Sequence, residues 1–174
     1  MRQSLLLGLS ALGLLLAPSR AEAQWSLRMA LEAPLYVRTS SNGESSSFGI
    51  NNSFQPTIDV IGSYFVTGSV GLDLELRTGI AATGTGYTRP RTSLGPGLTL
   101  DAPAFPLYGR VSFPLQVEET FIAFVRAGGG LKILDMAFFR VYFEVTADFP
   151  LGGSGVGFFS SQAVNAGLGL WLRL

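Results

Sequence analysis

The chain has 174 residues, 47% of them hydrophobic and only 14% charged, with 12 basic residues against 12 acidic ones and no histidine or cysteine. A soluble domain carries roughly a quarter of its residues as Asp, Glu, Lys or Arg, so charge is scarce here. Without cysteine the fold is held by no disulfide; without histidine it has no Ser-His-Asp or Cys-His constellation and no His-containing metal site; without a basic run it has no footprint for nucleic acid.

The first 23 residues read as a cleaved signal peptide. Arg2 supplies a positive start, "LLLGLSALGLLLA" is an apolar core too short to span a bilayer, and "AEAQ" offers small residues for cleavage after Ala23. Removing Arg2, Arg20 and Glu22 with it leaves 10 basic and 11 acidic residues on one domain, 24–174.

No helical period runs through that domain; a period of two does. Trp25, Leu27, Met29, Leu31, Ala33 and Leu35 share one face of a first strand, with Arg28 and Glu32 on the other. A Ser/Asn/Gly-rich loop is expected over 38–56 and a second strand over 57–66. After a tight "TGS" turn, Val70, Leu72, Leu74 and Leu76 oppose Gly71, Asp73, Glu75 and Arg77. Residues 79–93 form a second loop, and Leu94, Leu98 and Leu100 mark a fourth strand. "DAPAFP" is a turn into a fifth, where Leu107, Gly109, Val111, Phe113 and Leu115 oppose Tyr108, Arg110, Ser112 and Gln116. "EET" links it to a sixth, 121–133, in which Arg126, Gly128, Gly130 and Lys132 share a face. A turn near Asp135 leads to the seventh, "FFRVYFEVTADFP", with Arg140, Tyr142, Glu144, Thr146 and Asp148 on one side. That hairpin is expected to bring Arg126 near Glu144. A third loop, 151–162, precedes the last strand, where Asn165, Gly167, Gly169, Trp171 and Arg173 lie opposite Val164, Ala166, Leu168, Leu170, Leu172 and Leu174.

Eight strands of about nine to thirteen residues exceed the globular mode of about five or six and match the roughly nine to eleven that cross a bilayer. Long and short links alternate, as in outer-membrane barrels with short periplasmic turns and longer outer loops; only "EET" departs from this. Alternation alone leaves the orientation open, since a soluble lipocalin-like barrel carrying an apolar ligand needs the same pattern reversed. Sparse charge and the glycines that share the polar face favour the apolar side outward. Glycine weakens a water-facing strand, whereas in a narrow lumen it makes room for long side chains.

With the polar face inward, Arg28, Glu32, Asp73, Glu75, Arg77, Arg110, Arg126, Lys132, Arg140, Glu144, Asp148 and Arg173 form a candidate lumen ion-pair network, with Asp59 as a further partner. Turned outward, each basic residue at midplane costs roughly 2–4 kcal/mol. Asp73 and Glu75, about 7 Å apart along one strand face, are better read as members of that network than as an acid/base pair, because arginines share the face. Trp25, Tyr36, Tyr64, Phe65, Phe105, Tyr108, Phe149 and Phe158 fall near strand ends, where membrane barrels carry aromatic girdles.

Signal peptide, eight alternating strands and polar lumen resemble the small OmpA/OmpX-type outer-membrane β-barrel family over residues 25–174. The resemblance implies an all-β, antiparallel up-and-down transmembrane barrel without catalysis or cofactor, because the barrel enzymes on this scaffold generally depend on histidine. It implies outer-membrane lipid and lipopolysaccharide as surroundings and the barrel-assembly machinery as a partner during insertion. Members of that family usually end on an aromatic residue; this chain ends "GLWLRL", with Leu174 last and Trp171 three residues earlier.

Overall fold

The computed structural model describes residues 24–41, 44–49, 56–80, 92–117, 121–153 and 161–174, with the backbone alone for 37–41, 44–49 and 161. The expected signal peptide, most of the 79–93 loop, the "EET" link and Phe158 lie outside the described residues.

Among the described residues ten strands make one sheet: β1 (Gln24–Ser41), β2 (Glu44–Gly49), β3 (Thr57–Phe65), β4 (Val70–Gly79), β5 (Ser93–Asp101), β6 (Leu107–Ser112), β7 (Leu115–Gln116), β8 (Ile122–Asp135), β9 (Phe139–Gly153) and β10 (Ser161–Arg173). All pairings are antiparallel, and the sheet closes on itself through β1 and β10, which pair from Ser26↔Arg173 to Thr39↔Ser161 with one register shift between Pro34 and Tyr36. β6 and β7 together make one stave, and β2 is a flap on the far end of β1, so the wall has eight staves. Closure is what the surroundings demand: in hydrocarbon an unpaired strand edge leaves backbone groups without partners.

The alternation settles which side faces out. β4 runs Leu72, Leu74 and Leu76 outward, Leu74 at 58% exposure, and Gly71, Asp73, Glu75 and Arg77 inward, Glu75 at 0%. Leu94, Leu98, Leu100, Leu107, Leu131, Ile133, Phe143 and Leu168 continue the apolar exterior. These are the faces of a membrane barrel, and the reverse of a soluble one enclosing an apolar ligand.

Turns at 66–69, 102–106 and 136–138 gather at the end that holds Gln24 and Leu174. At the first of them the Thr67 hydroxyl accepts N–H bonds from Ser69 at 3.2 Å and Val70 at 3.0 Å. The Leu174 N–H bonds to the Trp25 carbonyl at 2.9 Å, so both ends of the domain leave from this rim. The opposite end carries the long connections.

Three expectations shift. The 38–56 loop is half strand: β1 continues through Ser41, and β2 folds back on it from Ser41↔Glu44 to Tyr36↔Gly49. The sequence signal is the Asn42–Gly43 dipeptide, which favours a two-residue hairpin. β9 likewise runs to Gly153, past the expected end of its strand. The fifth stave breaks at Phe113–Pro114, because proline has no N–H to give the ladder. Gly95 faces that break on β5; a Cβ there would stand 2.5 Å from the Pro114 Cα, so only glycine lets the two strands approach. The Phe113 N–H reaches the Pro96 carbonyl at 2.9 Å and the Phe124 N–H the Pro114 carbonyl at 3.0 Å, which keeps the wall bonded across the irregularity.

Leu74→Arg should lower the stability of the vesicle-inserted barrel by about 2–4 kcal/mol in urea titrations, and Leu74→Phe by less than about 1 kcal/mol.

Candidate functional site

The interior is packed in four tiers, built from inward positions that alternate along each strand. At the turn-end rim, Lys132 of β8 donates to Asp101 of β5 at 2.8 Å and to the Ala102 carbonyl at 2.8 Å. Arg140 of β9 bridges Asp101 at 2.5 Å and Asp135 at 2.8 Å. Arg173 of β10 reaches Asp135 at 2.9 Å, but its side chain is 31% exposed. Arg173 therefore belongs to the rim, and the placement of this residue in the enclosed lumen is corrected. Its position, the last of β10, leaves it level with the end of the wall.

Above the rim lies an aromatic tier. Trp171 is buried against Phe65 (ring centroids 5.8 Å), Tyr108 (5.5 Å) and Tyr142 (6.5 Å), and Tyr108 meets Tyr142 edge-on at 5.6 Å. The guanidinium groups of Arg28 and Arg140 sit 4.9 and 4.8 Å from the Trp171 ring centre, positions where the ring quadrupole attracts a cation. Arg28, fully buried on β1, also donates to Asp73 at 2.8 Å, Thr99 at 2.6 Å and Ser63 at 3.2 Å.

The inward glycines are the seats of these rings. A Cβ on Gly130 would collide with the Tyr108 ring, one on Gly169 with the Tyr142 ring, and one on Gly71 would press the Phe65 ring at 3.1 Å. Gly167 makes room for the Glu32 Cγ, which a Cβ would meet at 2.7 Å. The lumen glycines thus serve rings more than charges. Phe65 and Tyr108 are correspondingly not girdle residues, being 8% and 5% exposed. Trp25 and Tyr64 do face out, their rings 4.9 Å apart near the turn end.

The third tier centres on Arg110 of β6. Its Nε donates to Glu144 of β9 at 2.5 Å, Nη1 to Glu75 of β4 at 2.6 Å and Nη2 to Asp59 of β3 at 2.7 Å, with Glu32 of β1 at 3.7 Å. Ser112 donates to Glu75 at 2.6 Å, and the Tyr108 hydroxyl donates to Glu144. Glu32, Asp59 and Glu144 bring three carboxylate oxygens within 4.8 Å of one another, a spacing that suits a metal ion. The Arg110 guanidinium bonds two of the three carboxylates and lies against the third, so a protein cation already serves them. Neither Asp73 nor Glu75 stands free as an acid or base: Asp73 takes Arg28 and Thr99, and Glu75 takes Arg110, Arg126 and Ser112.

At the loop end, Arg77 of β4 pairs with Glu32 at 2.9 Å and Asp148 at 3.0 Å, and Arg126 of β8 with Asp148 at 2.5 Å and with Glu75. Arg126 thus faces Asp148 across the β8–β9 ladder, and Glu144 lies opposite Gly130. The expected approach of Arg126 to Glu144 is overturned. The turn falls at 136–138, beyond Asp135, and the register shifts between Lys132 and Leu134. A turn displaced by two residues moves every cross-strand partner by four. Asp101 and Asp135, read as turn residues, turn out to close β5 and β8 and to take three of the cations.

Geometry and sequence together define a small eight-staved antiparallel barrel, apolar outside and ion-paired inside, of the OmpA/OmpX-type architecture. Among solved structures the chain is similar to Neisserial surface protein A, with a TM-score of 0.57 at 8% identity over 88% of this chain and 100% of that one. It is also similar to outer membrane protein AlkL in DMPC bilayers (TM-score 0.47, 14% identity, 90% and 94% covered) and to a de novo designed transmembrane β-barrel (0.47, 10%, 86% and 95%). The likeness is one of fold. No protein-family model and no curated protein matches the sequence.

Arg110→Met removes a cation shared by four acids, two of which, Asp59 and Glu144, have it as their basic partner, and should cost about 3–5 kcal/mol in urea unfolding of the refolded barrel. Adding Glu144→Gln to it should recover part of that loss, a coupling that a double-mutant cycle measures.

Proposed function

We propose that this chain is an integral outer-membrane protein without enzymatic activity, which acts through the surface formed at the loop end of its barrel. The observation that carries this reading is the division of faces: leucines at 40–60% exposure around the wall, and charged groups almost fully buried within it. Lipid is the surrounding that suits the first, and only a closed cylinder of paired charges suits the second.

The interior supports a structural role over transport. Eight strands leave a bore that side chains fill, and here the aromatic tier and the Arg110 tier lie one above the other across it. No general porin activity follows from such an interior. The acids that chemistry would need are committed to arginines, which supports the non-catalytic reading.

Both termini and the three short turns share one rim, which we assign to the periplasm. The segments at 38–56, 79–93 and 150–162 then face outward, among lipopolysaccharide. There the β1–β2 hairpin, continued by β10 pairing as far as Thr39↔Ser161, raises the wall above the barrel proper. Insertion would pass through the barrel-assembly machinery.

The protein should fractionate with outer membranes, migrate differently on unboiled and boiled gels, and give no porin-sized conductance in planar bilayers. Recovery in the soluble periplasmic fraction would overturn the assignment.

A further inference from the structure

Two prolines stand side by side in the wall, Pro96 in β5 and Pro114 in the gap between β6 and β7. The pairs Leu98↔Val111 and Leu94↔Leu115 share one register, which sets Pro96 opposite Phe113. Ser112↔Arg126 and Gln116↔Ile122 likewise set Pro114 opposite Phe124. In an antiparallel ladder a hydrogen-bonded pair exchanges two N–H···O=C bonds. Here each pair makes one. Phe113 donates to the Pro96 carbonyl at 2.9 Å and Phe124 to the Pro114 carbonyl at 3.0 Å, and proline has no N–H to return. The carbonyls of Phe113 and Phe124 therefore lack their ladder donors on two adjoining seams at one height. At that height β8 also shifts register against β9, between Ala123 and Phe124.

Toward the loop end the wall beyond this row is thinly held. The two-residue β7 pairs with β5 through Ser93↔Gln116 and Leu94↔Leu115, and with β8 through Leu115↔Ala123 and Gln116↔Ile122. Arg77, opposite Ser93 on β4, stands at the same height, and the β3–β4 ladder runs past it unbroken to Thr57↔Gly79.

Hydrocarbon cannot replace the missing donors. The outward residues of this sector, Leu94, Phe113, Leu115, Val117 and Phe121, are apolar and exposed. Irregular backbone at membrane depth is tolerated where it lines water. On the inner side, Ser93, Gln116 and Phe124 line a half-open recess whose other walls are Arg77, Arg126 and Asp148. Its guanidinium groups are already committed to acids, so water is the occupant that suits it.

We propose that the wall beyond the two prolines is a flap. β7 and the first residues of β8, Ile122 and Ala123, open and close as one unit hinged at the Pro114–Phe124 pair, with the freed backbone groups hydrated from the recess and the ladder below staying shut. Opening widens the loop-end mouth of the bore on this side alone. The motion belongs to the barrel and does not depend on the role proposed above.

The test is hydrogen–deuterium exchange, resolved by residue with NMR, on the full chain refolded in detergent micelles. The amides of Leu115, Gln116 and Ile122 should exchange through one common opening, about a hundredfold faster than those of Asp59 and Arg77. Protection should rise in a step at Phe124, with Val111 and Arg126 as slow as the middle of the wall. Pro96→Ala and Pro114→Ala each return an N–H to the row, and together they should slow exchange of the three flap amides about tenfold while leaving Asp59 unchanged. The proposal fails if the flap amides exchange no faster than Asp59 and Arg77, if protection rises gradually along β8 with no step, or if the refolded double variant exchanges as fast as the parent. The comparison within the parent barrel decides the matter should the variant not refold.

Discussion

One guanidinium group organises the middle of this barrel. Arg110 projects from β6 and meets acids from β1, β3, β4 and β9, so a single side chain ties five strands that are far apart in sequence. The cost of removing so many charges from water is large, and it is offset only where each has a close partner. The arrangement therefore works as an all-or-none unit. Arg126 and Arg77 share Glu75 and Glu32 with Arg110, and Asp148 joins Arg126 to Arg77. A register slip of one residue on any of these strands would carry its charges into lipid and its leucines into the lumen. Specific strand pairing and interior electrostatics are thus one constraint seen from two sides.

The aromatic tier below it obeys a different rule. Its rings are held by shape: Phe65, Tyr108 and Tyr142 each have a glycine on the neighbouring strand to receive them, and Trp171 packs among the three. Tyr108 is the residue common to both tiers: its ring packs on Trp171 and Tyr142, and its hydroxyl reaches Glu144. Aromatic packing and ion pairing are therefore continuous through the bore, and a lumen of eight staves has little room for anything else.

Most of the wall was legible in the sequence because a period of two survives any uncertainty about where strands end. Inward and outward sets follow from parity alone, which is why Asp73, Glu75 and Arg77 fall where alternation puts them. Partners across a ladder do not follow from parity. They depend on the turn, and the 136–138 turn exchanged the partner of Arg126 from Glu144 to Asp148. Ring positions were misread where strand ends outweighed parity: Phe65 ends its strand like a girdle residue, yet it shares the inward face with Asp59 and Ser63, as Tyr108 does with Arg110. Asn42–Gly43 was a readable hairpin signal, masked by the serine-rich stretch around it.

Lys132 is the only lysine of the chain, and it is 6% exposed, with its ammonium held by Asp101 and the Ala102 carbonyl. The folded barrel consequently offers amine-directed reagents no side chain to modify. Biotin esters and lysine cross-linkers will leave its side chains unmarked, so a labelling survey that relies on such chemistry will under-count this protein.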